Sequence, residues 1–363
     1  MKRLQSGLFL ALAAAGMSVA AQAGTMVLGA YPNALILFDE SKGALTQRIT
    51  LASGLPTSMR ISNDNKKIYV STITTGGIEV FDVATRKIVN SFSLNTPTTK
   101  YRFGGGVPDA AGRYFYTVGL KIDKEIDRYV ISDPQYIVID LQQKKVARMV
   151  PVAKEDDGPA VGRASFSLSP DGKSLFLFRD KVVVLDTATL KATDRFDLAK
   201  PEGTGLEGVN FGGGVEAIRS PTEYVSLFTA TDPYVHNKVF GVGRFDLVKR
   251  NFTFVPIGPA PTSIAGLEVT PDGKEGFTVA TFNTLGNKRC ELERFDMGTN
   301  KILNRSEFPC RTRFSFGMSN DGSKLYIYGA SFDVEVYDSK TLQHEKTWDL
   351  GNDATGAGLV LLD

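Results

Sequence analysis

The chain has 363 residues, with 42 Lys plus Arg against 40 Asp plus Glu and an apolar share of 42%. So even a balance, with no basic run, gives no footing for nucleic-acid binding. Two cysteines and two histidines leave no Cys-x-x-Cys-His for covalent haem and no zinc-type cluster.

The N-terminus reads as an export signal. Met1-Lys2-Arg3 is a basic start, and residues 8–20 (LFLALAAAGMSVA) form an apolar run too short for a comfortable membrane span. Ala21-Gln22-Ala23 fits a small-x-small cleavage site. Residues 1–23 are expected to be a signal peptide and residues 24–363 the mature exported chain. The alternative is retention as an N-terminal anchor. No later segment approaches a membrane span.

From residue 25 onward one unit recurs. A strand-like run ends in Asp, a short turn follows, and a second strand begins. The aspartates are Asp39, Asp82, Asp140, Asp186, Asp246, Asp296 and Asp338. A second tight polar turn precedes several of them, as in SNDNKK (62–67), SPDGKS (169–174), TPDGKE (270–275) and SNDGSK (319–324). Such residues suit hairpin turns. Each unit therefore predicts four antiparallel strands, A to D. In the last unit these are 313–319, 323–329, 332–338 and 342–350.

Seven such units predict an all-β, seven-bladed β-propeller. The first blade has strands B (25–31), C (34–39) and D (45–51) but no strand A. The C-terminal run 358–362 is expected to supply it and close the ring. The seven aspartates occupy one position in seven hairpins, so they read as turn-fixing groups and not as a catalytic set.

In such blades the A–B and C–D turns share one face; the B–C and D–A connections share the other. The first set is tight. The second is long, with B–C insertions at 119–135, 230–241 and 281–290 and D–A connections at 95–103, 153–163, 199–211 and 258–263. Long loops on a rigid scaffold carry binding, so this face is expected to meet a partner or ligand. Tyr101, Arg102, Phe103, Arg163, Arg313 and Phe314 stand where inner strands begin. Asp232, Tyr234 and His236 lie on the blade-five insertion. The arginines suit an acidic partner or carboxylate; alternatively they are solvated or paired with Asp156, Asp157 or Glu207. A loop histidine such as His236 also reads as a plain surface residue.

FGGGV occurs at 103–107 and 211–215 without the helix start and Lys-Ser/Thr of a phosphate cradle. Glycine for close strand approach near the axis is preferred. Cys290 and Cys310 lie across the blade-six hairpin; export permits a disulfide, with two buried thiols as the alternative. No catalytic residue and no metal site is assigned.

Two stretches carry a resemblance: SFSLNTPTTKYRFGGGVPDAAGRYFYTVGLKIDKEIDRYVISDPQYIVIDLQQKK (91–145) and RFSFGMSNDGSKLYIYGASFDVEVYDSKTLQHEKTWDL (313–350). With the export signal and the repeat, they resemble the β-subunit of quinohemoprotein amine dehydrogenase, among exported propellers of the YVTN and methylamine dehydrogenase heavy-chain kind. The resemblance implies a periplasmic complex that oxidises primary amines. In it a dihaem cytochrome c subunit and a small subunit with cysteine tryptophylquinone hold the redox groups. The propeller would bind no cofactor and would serve as a non-catalytic platform. No active-site residue carries over. The alternative is a stand-alone exported propeller binding a small ligand or protein partner on the long-loop face. A lactonase-type hydrolase would need a metal or base in the central channel. The scarcity of histidine counts against that, although carboxylates alone could hold calcium.

Overall fold

The computed structural model describes residues 24–156, 164–201, 205–211 and 220–362. Residues 1–23, and Arg163 and Asp157 with them, lie outside the described residues.

Seven antiparallel sheets form the seven blades of a propeller. In blade one, strands B (Thr25–Ala30), C (Ala34–Asp39) and D (Ala44–Thr50) follow each other, and the innermost place is taken by Ala354–Leu362 from the far end of the chain. Thr25 lies opposite Leu362, Val27 opposite Val360 and Ala30 opposite Ala354. The expected ring closure is therefore present, with a closing strand four residues longer at its start than the apolar run suggested.

Burial explains the sequence pattern of the blades. Strands B and C lie between neighbouring blades, so their side chains are covered on both sides: Thr25–Ala30 and Ala34–Asp39 are buried along almost their whole length. They read as continuous apolar runs for that reason. Strand D is the outer edge, and Ala192–Asp197 alternates between half-buried and exposed, the period of two of a one-sided strand.

The core is a series of layers between blades. Val27, Leu35 and Leu37 of blade one meet Met59, Val70 and Phe81 of blade two. On the other side, Met26, Leu28 and Phe38 meet Tyr326, Val336 and Trp348 of blade seven. Between blades four and five the layer is aromatic, with Phe178 stacked on Tyr224 at 3.7 Å and edge-on to Phe245. Each fully buried side chain of this size contributes about 1.5–3 kcal/mol.

The C–D turns are more uniform than the sequence indicated. In all seven blades a carboxylate oxygen of the aspartate accepts backbone N–H groups two or three residues on, as Asp186 does from Thr189 and Asp246 does from Val248 and Lys249. The residue four positions after each aspartate has positive φ: Gly43, Arg86, Lys144, Leu190, Arg250, Asn300 and Leu342, between 53° and 60°. A left-handed residue there turns the strand back with the sheet twist. Six of the seven are not glycine, which is why residue type alone did not show the pattern.

The A–B turns use a second device. A hydroxyl at the end of strand A meets an aspartate two residues later: Ser62 with Asp64, Ser169 with Asp171, Thr270 with Asp272, and Ser319 with Asp321.

Cys290 and Cys310 form a disulfide with Cα atoms 5.3 Å apart. The residue directly opposite Cys290 is Phe308, so Cys310 reaches back from just beyond the end of strand D.

Candidate functional site on the loop face

The long connections build a face of distinct character. In blade three, strand B (Tyr114–Lys124) runs past strand C (Gln135–Asp140), which reaches only its residues 114–119. The surplus pairs on one side with Thr99–Phe103 and on the other with the short strand Tyr129–Ile131. The 119–135 insertion thus forms, with Thr99–Phe103, a three-stranded flap and not an irregular loop. Its alternating LKID and RYVIS runs are strand patterns, misread as loop because they follow the expected end of the blade. The Thr99 hydroxyl donates to Asp123 at 2.6 Å, and Lys121 pairs with the same carboxylate at 2.7 Å. Their pairing holds the Asp123 carboxyl below its usual range.

The flap carries apolar side chains into solvent. Ile126 at its tip is fully exposed, and Tyr129, Val130 and Ile131 are exposed on its edge strand. The same holds around the face. The B–C connection of blade one exposes Tyr31, that of blade two Ile73, that of blade five Tyr234 and Val235, and that of blade seven Phe332. On the opposite face, among the described residues, only Val248 is a large apolar side chain so exposed; the others lie on outer strands.

The candidates from sequence sort as follows. Along the blade-three inner strand Tyr101 is half-buried, Arg102 exposed and Phe103 buried. Phe103, at 4% exposure, belongs to the layer between blades two and three and not to the face. Asp232 is used by its own turn, accepting the N–H groups of Tyr234 and Val235. His236 is exposed with φ 54°, its N–H donated to the Asp232 carbonyl. Tyr234 stands free in solvent at 88% exposure.

Arg313 and Phe314 do come together with other groups. They line an open cleft of about 620 Å³ at the junction of blades six, seven and one, with Lys288, Tyr31 and Asp353. Phe314 is edge-on to Phe308, and the Lys288 ammonium stands 5.5 Å from the Phe314 ring centroid. Lys288 also donates to the Arg311 carbonyl. Arg311 itself is committed to Asp333 and Glu335 at 2.8 and 2.7 Å. The cleft therefore combines an aromatic wall with two cations, Lys288 and Arg313.

A second cavity was not legible in the sequence. It fills the central channel toward the tight-turn face, has a volume of about 480 Å³, and is walled by inner strands of blades two, three and four with Tyr224 of blade five. Ser58, Ser165, Ser167 and Arg60 give it polar walls. Burial raises the Tyr224 phenol, against the pull of the Ser165 and Ser226 hydroxyls. The inner strands have no repeating signature, so no motif marked these residues. Among the described residues no group of three or more His, Cys, Asp or Glu is placed to hold a metal ion.

The first FGGGV supports the close-approach reading. A Cβ on Gly106 would lie 2.2 Å from the Tyr116 carbonyl oxygen and 2.6 Å from the Phe115 ring. The pairing shifts register between Phe103 and Gly106, a bulge at the crowded channel wall. In the second copy, residues 212–215 lie outside the described residues.

No family model and no curated protein matches the chain. Solved structures do. A functionally unknown protein from Desulfotomaculum acetoxidans is 13% identical with a TM-score of 0.55, over 94% of this chain and 99% of that one. The periplasmic gluconolactonase of Pseudomonas aeruginosa is 14% identical with a TM-score of 0.54, over 94% and 99%. A dihydro-heme d1 dehydrogenase is 14% identical with a TM-score of 0.50, over 93% and 75%. At such identities these are likenesses of fold alone, to propellers of differing function, and the fold they share with this chain is the seven-bladed β-propeller.

Proposed function

We propose that this chain is a non-catalytic propeller that docks partner proteins on its loop face. In its finer form, it is the platform subunit of a periplasmic complex of the quinohemoprotein amine dehydrogenase kind. One observation carries the docking reading: five of the seven B–C connections place large apolar side chains in solvent on one face. Apolar groups gathered on one face and nearly missing from the other mark an interaction surface. The finer form rests on the resemblance of residues 91–145 and 313–350. It makes the partners a dihaem cytochrome c subunit and a small subunit bearing cysteine tryptophylquinone.

The physical role follows from rigidity. A closed ring of packed blades holds the flap and the turn tips at fixed spacing. Partners settling on them bury Ile126, Tyr129 and Phe332 without ordering a flexible surface, which lowers the entropy cost of assembly. The Lys288–Arg313 cleft, beside this apolar surface, suits an acidic segment of such a partner.

Affinity purification of the tagged chain from its native host tests this. A haem absorption band and a quinone-staining small subunit should accompany it, and both should be lost from an Ile126→Ser/Tyr129→Ser variant of unchanged thermal stability. A chain that elutes alone as a monomer overturns the docking reading. A partner without haem or quinone overturns only the finer form.

The channel cavity favours a second reading, a stand-alone propeller that binds a small polar ligand. Ligand-induced protection that depends on Arg60 and Tyr224 would support it.

A further inference from the structure

Gly24 is buried, and its backbone nitrogen lies 2.8 Å from Glu40 Oε2. The other carboxylate oxygen of Glu40 accepts the hydroxyl of Tyr326, from strand B of blade seven. The Glu40 N–H in turn donates to the Gly24 carbonyl at 3.2 Å. Directly after Gly24 comes Thr25, paired with Leu362 of the closing strand. Glu40 thus touches the first described residue and blade seven at once, at the seam of the ring.

This carboxylate lacks the partner its position calls for. Burial pushes its pKa up, and the side-chain charges acting on it, Asp321 and Asp39, are both negative. Among the described residues no ion pair to it is seen, yet the nitrogen at 2.8 Å is one that peptide hydrolysis would turn into a cation. Glycine is also the residue the spot accepts. A Cβ on Gly24 would lie 2.9 Å from the Leu362 carbonyl oxygen, 3.0 Å from Glu40 Oε2 and 3.4 Å from Asn320 Nδ2. The preceding Ala21-Gln22-Ala23 is a small-x-small run.

We propose that the Ala23–Gly24 peptide bond is the processing site, and that Glu40 and Tyr326 form a receptor for the Gly24 α-ammonium released there. The proposal rests on the export reading and adds a consequence to it: maturation completes the ring. Hydrolysis breaks the C–N bond, water leaves its hydroxyl on the Ala23 carboxyl and a proton on the Gly24 amine, and at neutral pH that amine is mostly protonated. A neutral amide hydrogen bond becomes a charge-assisted ion pair between partly buried groups. Before cleavage the same carboxylate sits partly desolvated with two neutral donors and no cation, so the unprocessed chain closes its ring less firmly.

The test uses three forms of the chain: one starting at Gly24, one retaining Gln22-Ala23, and one starting at an Nα-acetylated Gly24. The free Gly24 form should unfold about 2–4 °C higher than the other two. Glu40→Gln and, separately, Tyr326→Phe should shrink that gap, Tyr326→Phe guarding against a Glu40 variant that fails to fold. Equal melting temperatures in all three forms, or a gap that persists in Glu40→Gln, overturn the receptor. Intact mass of the chain exported by its host should give a start at Gly24, and any other start overturns the processing site. Neither result bears on docking, which is read by co-purification.

Discussion

Phe38 of blade one and Trp348 of blade seven pack with ring centroids 5.2 Å apart, across the joint where the chain's two ends meet. Tyr326 stands 5.8 Å from the same indole. This joint depends on the closing strand, which covers the inner edge of Thr25–Ala30 and buries Val360 and Leu362. Deleting residues 355–363 should expose that edge and two buried side chains worth about 1.5–3 kcal/mol each. Set against a usual margin of about 5–15 kcal/mol, this should give a large drop in melting temperature and aggregation on size exclusion. A truncated chain with unchanged melting would show that the ring closes by other means.

The C–D turns give opposite predictions at neighbouring positions. Asp140 is buried and accepts the N–H groups of Gln142 and Gln143. Asp140→Ala leaves both donors without it and should cost about 1–2 kcal/mol. Lys144 in the same turn is exposed with φ 56°. Lys144→Gly removes the left-handed penalty of an L residue, less the entropy a glycine adds to the unfolded chain, a gain of up to about 1 kcal/mol. Urea unfolding of the two variants should move the midpoint in opposite directions.

The disulfide closes a separation of 20 residues. A loop of that size stabilises by about 3 kcal/mol in the chain-entropy picture. Reductant should therefore lower the melting temperature of the native chain, and a Cys290→Ala/Cys310→Ala variant should melt low with or without it. Alkylation without reductant that adds mass at both cysteines would contradict the bond.

Stability should pass through a maximum in mild acid. Glu293 is buried, and its carboxyl is raised above the usual value despite Arg305 at 3.0 Å. A carboxyl raised in the folded state destabilises above its folded pKa, and the penalty fades as pH falls toward 4.5. Many turn aspartates are shifted the other way by their hydrogen bonds, including Asp82, Asp186, Asp296 and Asp272, the last to about 2. Their stabilisation is complete above 3.8 and is lost as pH falls below it toward the folded values. Melting temperature should thus rise from neutral pH toward about pH 5 and fall below about pH 4. Glu293→Gln should shrink the first limb, to which the raised Glu40 carboxyl also contributes, and leave the second. An unchanged first limb would assign the rise to other groups.

What was legible in the sequence follows from which contacts repeat. Strands B and C are buried against the same kind of neighbour in every blade, so their apolar runs and closing aspartates recur and can be counted. Inner strands face an axis that each blade meets differently, with Gly106 against Tyr116 in one and Ser165 near Tyr224 in another. The channel cavity was therefore silent. The loop face was found by connection length, but its character was not: attention went to Arg102, Phe103 and His236, while Ile126, Tyr129 and Phe332 carry the surface. Apolar residues at hairpin tips look like strand residues until the hairpin is seen to project beyond its blade.

The turn aspartates have one more consequence. All of them, from both kinds of turn, lie on the face opposite the flap, where lysines of the same turns pair with several of them, so the disc is rimmed by mixed charge on one side and apolar-tipped on the other. Two unlike faces do not attract copies of themselves equally. If two copies meet, flap side to flap side is the favourable approach, and the charged, hydrated rims then point outward. Such a contact uses the same surface on both partners and closes on itself, so this geometry favours sealed pairs over open-ended stacks.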